Sequence, residues 1–119
     1  MSVNAYVQVQ NRTENARATE YRLFAQVTRA MMEARDTQKR DKTFVQAIDW
    51  NRKLWLTLTQ DLSHPDNKLP DQLKAQLISI GIWVTKHSGA CLRGEAQLDP
   101  MIDVNRSVMA GLAERPAAA

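Results

Sequence analysis

Apolar residues in this chain recur at spacings of three and four, the period of a helix with one buried face, and no stretch shows the alternate-residue pattern of a half-buried strand. Residues 13 to 35 contain no Gly or Pro, and Leu23, Val27, Ala30, Met31 and Ala34 share one side of a first predicted helix. A polar run from Arg35 to Lys42 separates it from a second stripe of Phe44, Ile48, Asn51, Trp55, Leu58 and Leu62, which the turn-forming series Ser63-His64-Pro65-Asp66-Asn67 ends. Pro70 suits the first turn of a third helix, where its missing N–H would have no partner anyway, and Leu73, Leu77, Ile80 and Val84 form its stripe. Gly89 and Gly94 then punctuate the chain. Asp99-Pro100 reads as an N-cap carboxylate followed by Pro at the first helical position, and Leu98, Ile102, Asn105, Met109 and Leu112 line a fourth helix.

The pattern predicts an all-α fold, a compact bundle of about four helices. Residues 1–12 are expected as an N-terminal arm, 13–114 as a single helical domain and 115–119 as a disordered tail. Composition agrees with one core: 119 residues, 44% hydrophobic and 24% charged, with only 4 Gly and 4 Pro, describe a globular chain rather than a disordered one. The single Cys91 cannot form an internal disulfide, and with His64 and His87 it is too small a set for a closed zinc site, so neither metal nor cofactor is expected. The first residues lack a basic start followed by an apolar stretch, and the apolar run Leu77 to Val84 is broken by Ser79 and Gly81. A cytoplasmic protein without membrane contact is expected.

Two features go beyond ordinary amphipathic helices. Residues 48–52 and 102–106 both read Ile-Asp-x-Asn-Arg, and both place the Asn in the middle of the apolar stripe. A buried amide without a partner costs about 1–3 kcal/mol, so Asn51 and Asn105 are expected to bond each other or nearby backbone, as a structural polar core that fixes register; contact with a partner is the alternative. Asp49 with Arg52, and Asp103 with Arg106, are expected as exposed helix pairs. The second feature is surplus apolar surface: Tyr21, Ala25 and Met32 on the first helix, Val45 and Leu56 on the second, and Ile78 and Ile82 on the third lie away from the main stripes. Such surplus suits a protein-binding groove, a dimer seam or a central helix wrapped on both sides; monomer or dimer is left open.

Catalytic chemistry is not indicated. There is no Gly-rich phosphate loop, no metal-spaced His pair and no nucleophile elbow, and Cys91, close in sequence to His87, is better read as a half-buried or loop thiol. Charge is uneven: residues 1–60 hold ten Lys or Arg against six Asp or Glu, whereas 61–119 hold six against seven. Arg35, Lys39, Arg40 and Lys42 could form a basic edge for RNA, although Asp36 and Asp41 dilute it and no RNA-binding signature accompanies it.

Glu20-Tyr21-Arg22 with Val27-Thr28-Arg29-Ala30, Asn51-Arg52-Lys53-Leu54-Trp55, Asp66-Asn67-Lys68-Leu69-Pro70, and Asn105-Arg106 followed by Gly111-Leu112 are, in that order and spacing, similar to the flagellar biosynthesis regulator family FlaF. The resemblance runs from Ala5-Tyr6 to Gly111-Leu112, with Trp83 where the family often has Phe. It implies a small helical, non-enzymatic protein that promotes flagellin synthesis and export, binding the terminal helices of flagellin as a cytoplasmic secretion chaperone. It also implies action opposite FlbT, a regulator linked to flagellin messages and a possible partner; the alternative is an RNA-linked regulator of those messages. On the chaperone reading, Tyr21, Met32, Ile78 and Ile82 contribute the binding surface, while Trp55 and Leu77 belong to the core.

Overall fold

The computed structural model describes the backbone of residues 3–114 and the side chains of residues 18–111. Four helices follow one another, α1 (Val3–Thr37), α2 (Lys42–Leu62), α3 (Asp71–Leu92) and α4 (Asp99–Glu114), with no strand among the described residues. The fold is the all-α bundle that the stripes predict.

The first boundary differs from expectation. The arm expected over residues 1–12 is helical from Val3 onward, because nothing between Val3 and Thr37 breaks a helix. Periodicity gave no sign of a helix before residue 13. The Phe24 ring meets Trp55 edge-on at 5.8 Å, and α2 ends seven residues beyond Trp55, so α2 stops opposite about residue 17 of α1. Residues 115–119, expected as a tail, lie outside the described residues.

Helix ends follow local chemistry. The Asp41 side chain accepts from Phe44 N at 3.2 Å and caps α2. Chain reversal after α1 puts Gln38 at φ 57°, and after α3 it puts Gly94 at φ 78°, the left-handed conformation that glycine adopts without cost. Gly89, expected to punctuate, is inside α3. The Asp99 carboxylate does not cap α4; Leu98 O accepts the first helical bonds, and Asp99 instead takes the Arg35 guanidinium at 2.9 Å.

The helices pack in the order α3–α2–α1–α4. Phe24, Met31 and Ala34 of α1 share one buried cluster with Phe44, Ile48 and Trp55 of α2, with Leu98 just before α4, and with Met101 and Ile102 of α4. Leu23, expected on the α1 stripe, is exposed, and Phe24 one position on occupies the buried face. α2 and α3 approach closely at Gly81, where an added Cβ would sit 2.5 Å from Thr59 Cγ2.

A polar layer crosses this core. Asn105 Nδ2 donates to Asn51 Oδ1 at 2.8 Å and to Thr28 Oγ1 at 3.2 Å, while its Oδ1 accepts from Trp55 Nε1 at 2.9 Å. Thr28 passes the chain on to Phe24 O, and Met101 Sδ receives Asn51 Nδ2 and Ser88 Oγ. All four helices contribute, and no buried side-chain nitrogen or oxygen among the described residues lacks a partner. Polar groups sealed from water must be matched in place, so the layer fixes the rotation of α4 against α1 and α2.

Candidate functional site

α3 and α4 diverge from a well-tied turn. Gln97 O accepts from His87 Nε2 at 2.7 Å and from Cys91 Sγ at 3.3 Å; a carbonyl only accepts, so Nε2 is the donor in this contact. The His87 ring stacks on Trp83 at 4.8 Å. Cys91 is thus a buried thiol of the last turn of α3, not a loop thiol, and burial pushes its pKa up, the opposite of what a nucleophile requires.

Away from the turn the two helices leave an open groove of about 570 Å³. Leu73, Leu77 and Ile80 form one wall, Val104, Val108 and Gly111 the other, with Gln76, Asp103 and Ser107 among them. The α3 residues are the stripe that periodicity assigns to the core. They are only half-buried because α4 packs on α1, and α3 on α2, with no comparable packing between α3 and α4. Leu77 therefore packs against the core on one side, as expected, and lines the groove on the other. Val104, Val108 and Gly111 are spaced four and three, a second narrow stripe beside the one that faces inward. That widening of the apolar face was the available signal, and the sequence reading missed it. Among the described residues nothing lies within 4 Å of where a Gly111 Cβ would stand, so its lack of a side chain answers to no described neighbour.

The two Ile-Asp-x-Asn-Arg segments diverge at their acids. In α2, Asp49 binds Lys53 Nζ at 2.8 Å and Arg52 Nη2 at 3.5 Å, and the Lys53 hydrogen bond lowers its pKa. In α4 the expected Asp103–Arg106 pair is absent: Arg106 leans over α1 to Met32 Sδ at 3.5 Å, and Ser107 stands where α2 has Lys53. Asp103 has no ion pair or side-chain hydrogen bond to any described residue, and it lines the groove.

The four residues expected to bind a partner do not form one patch. Tyr21 is exposed on α1, and Met32 is half-buried against the core under Arg106, in a second hollow of about 440 Å³ between α1 and α4. Ile78 is half-buried and Ile82 is 54% exposed on α3, whose main packing partner is α2. Ile82 remains surplus apolar surface, as do Val45 and Leu56.

The basic edge is partly committed within the chain. Arg40 Nη2 donates to Cys91 O and Leu92 O, each at 2.8 Å, closing the carbonyl end of α3, and its guanidinium lies 5.0 Å from the Phe44 ring centre. Arg35 is held by Asp99 and Asp36, whose hydrogen bonds raise its pKa. Lys39 and Lys42 are exposed. Among the described residues no group of three His, Cys, Asp or Glu could hold a metal ion, and no helix is long and apolar enough to cross a membrane.

The family model described as Flagellar protein FlaF matches residues 2–112 of the chain. No curated protein and no solved structure matches it.

Proposed function

Because the chain belongs to the FlaF family of flagellar proteins, we propose that it promotes flagellin synthesis and export by binding newly made flagellin as a cytoplasmic secretion chaperone. The observation that supports this reading is the uncovered groove between α3 and α4. A monomer rarely leaves contiguous hydrocarbon open to water without a use for it, and a cleft between two helices accepts the apolar face of a third. The terminal segments of flagellin form helices in the filament, so shielding one such face delays assembly until export. The role is non-catalytic: it requires surface, not a reacting group.

Messenger binding is less well supported, since two of the four candidate cations, Arg35 and Arg40, already serve Asp99 and the α3 carbonyls. The test is retention of flagellin on the immobilised protein. Leu77→Asp and Val108→Asp, each placing a carboxylate in the groove, should cut retention by about tenfold or more while the variants still melt cooperatively. Undiminished retention by both would remove the groove from the mechanism. Retention that collapses between low and high salt would point to phosphate or other ionic contacts instead.

A further inference from the structure

We infer that the α3–α4 groove selects its occupant by charge as well as by hydrocarbon: it takes an amphipathic helix with a short apolar stripe and a Lys or Arg at the stripe's edge, which pairs with Asp103. This deepens the flagellin reading and rests on it for the identity of the partner, but not for the chemistry of the site.

Three observations converge. First, Asp103 is the charged member of the groove lining, and no described residue pairs with it. The equivalent acid in α2, Asp49, has both Lys53 and Arg52, so the missing partner is peculiar to the copy that borders the groove. A carboxylate beside apolar walls repels an incoming acid, and once an occupant strips away its water it needs a cation. Second, the groove length sets the occupant's length. Leu73 to Ile80 and Val104 to Gly111 each span eight residues, about 10 Å of helix or two turns. Third, Ser107 and Gly111, four apart on the α4 wall, present little bulk, and no described residue comes within 4 Å of where a Gly111 Cβ would stand. An exposed glycine inside a helix costs about 1 kcal/mol relative to Ala, and here that cost leaves room for another backbone to come close.

The test uses the full chain and two synthetic helical peptides of about 16 residues. Both carry the same Leu and Ile stripe; one has Lys at the stripe's edge and the other has Glu there. The Lys peptide should bind about three- to fivefold more tightly, the size of one rim ion pair. Asp103→Asn should erase the preference, and Asp103→Lys should reverse it in favour of the Glu peptide. Equal affinities for the unaltered chain, a preference that survives Asp103→Asn, or no binding of either peptide would overturn the inference. The flagellin reading fails separately: the peptides can discriminate as expected while flagellin retention ignores Leu77→Asp, or flagellin can depend on Leu77 while the peptides show no preference.

Discussion

Asn105 donates to Asn51 across 2.8 Å at the centre of the bundle, with both side chains at 0% exposure. The two amides do not carry equal loads. Asn105 also holds the Trp55 indole and the Thr28 hydroxyl, whereas the remaining contact of Asn51 is a long one to the Met101 sulfur at 3.7 Å. Replacing Asn105 by Leu leaves the Trp55 N–H and the Asn51 carbonyl buried without partners; replacing Asn51 by Leu leaves one N–H of Asn105. Asn105→Leu should therefore cost about 2–4 kcal/mol and Asn51→Leu about 1–3 kcal/mol. Urea unfolding at neutral pH measures both, and a smaller loss for Asn105→Leu would contradict this account of the layer.

The meeting of α2 and α3 at Gly81 makes a second test. A Cβ there would stand 2.5 Å from Thr59 Cγ2, and Thr59 is not free to turn, because its hydroxyl donates to Leu56 O at 2.9 Å. Gly81→Ala should destabilise the fold by about 1–3 kcal/mol despite the better helix propensity of Ala. Thr59→Ser removes the obstructing methyl and keeps the hydroxyl, so Gly81→Ala should cost clearly less in that background. A double-mutant cycle by thermal melting gives the coupling, and a value near zero would mean that the helices separate freely.

What the sequence disclosed depended on which neighbours a residue acquires. Helix number, the buried faces of Ile48, Trp55 and Ile102, and the sealed position of the paired amides were legible, because a buried stripe and a polar residue within it leave a period in the chain. Leu77 and Ile80 follow the same period as any core stripe, and nothing in their spacing says that the wall opposite, Val104 and Val108, stands back from them. The openness of the groove is a fact of tertiary packing, set by α4 leaning on α1. Arg40 shows the same limit: in sequence it is one cation in a polar run, and only the fold brings the end of α3 to it.

That placement of Arg40 carries a third prediction. Its guanidinium satisfies two carbonyls at the end of α3, where a positive charge also meets the negative end of the helix dipole, and it rests on Phe44. Arg40→Gln should lower stability by about 1–3 kcal/mol and loosen the α3–α4 turn, seen as faster amide exchange at Arg93, Gly94 and Glu95. Lys39→Gln, one residue away and exposed, should change stability by less than about 0.5 kcal/mol. Equal effects of the two substitutions would return Arg40 to the solvent-facing edge.

Cys91 supplies the last prediction, in its dependence on pH. Burial raises the thiol pKa in the folded chain, partly offset by the positive charge of Arg40, whereas in the unfolded chain a thiol ionises near about pH 8.5. Above that pH the folded state holds a proton that the unfolded state has lost, so unfolding releases it and stability falls as pH rises. The contribution is intact below the unfolded pKa and is lost progressively until the folded thiol also ionises, with a slope of at most about 1.4 kcal/mol per pH unit. Urea midpoints at pH 7.5 and pH 10 should decline more for the native sequence than for Cys91→Ala, whose lower starting stability does not affect the comparison of slopes. Iodoacetamide should label Cys91 only at the rate at which the chain opens, slowly at pH 7.5 and faster toward pH 10. Parallel slopes for the two proteins, together with rapid labelling at pH 7.5, would place the thiol at the surface and undo the tie between α3 and Gln97.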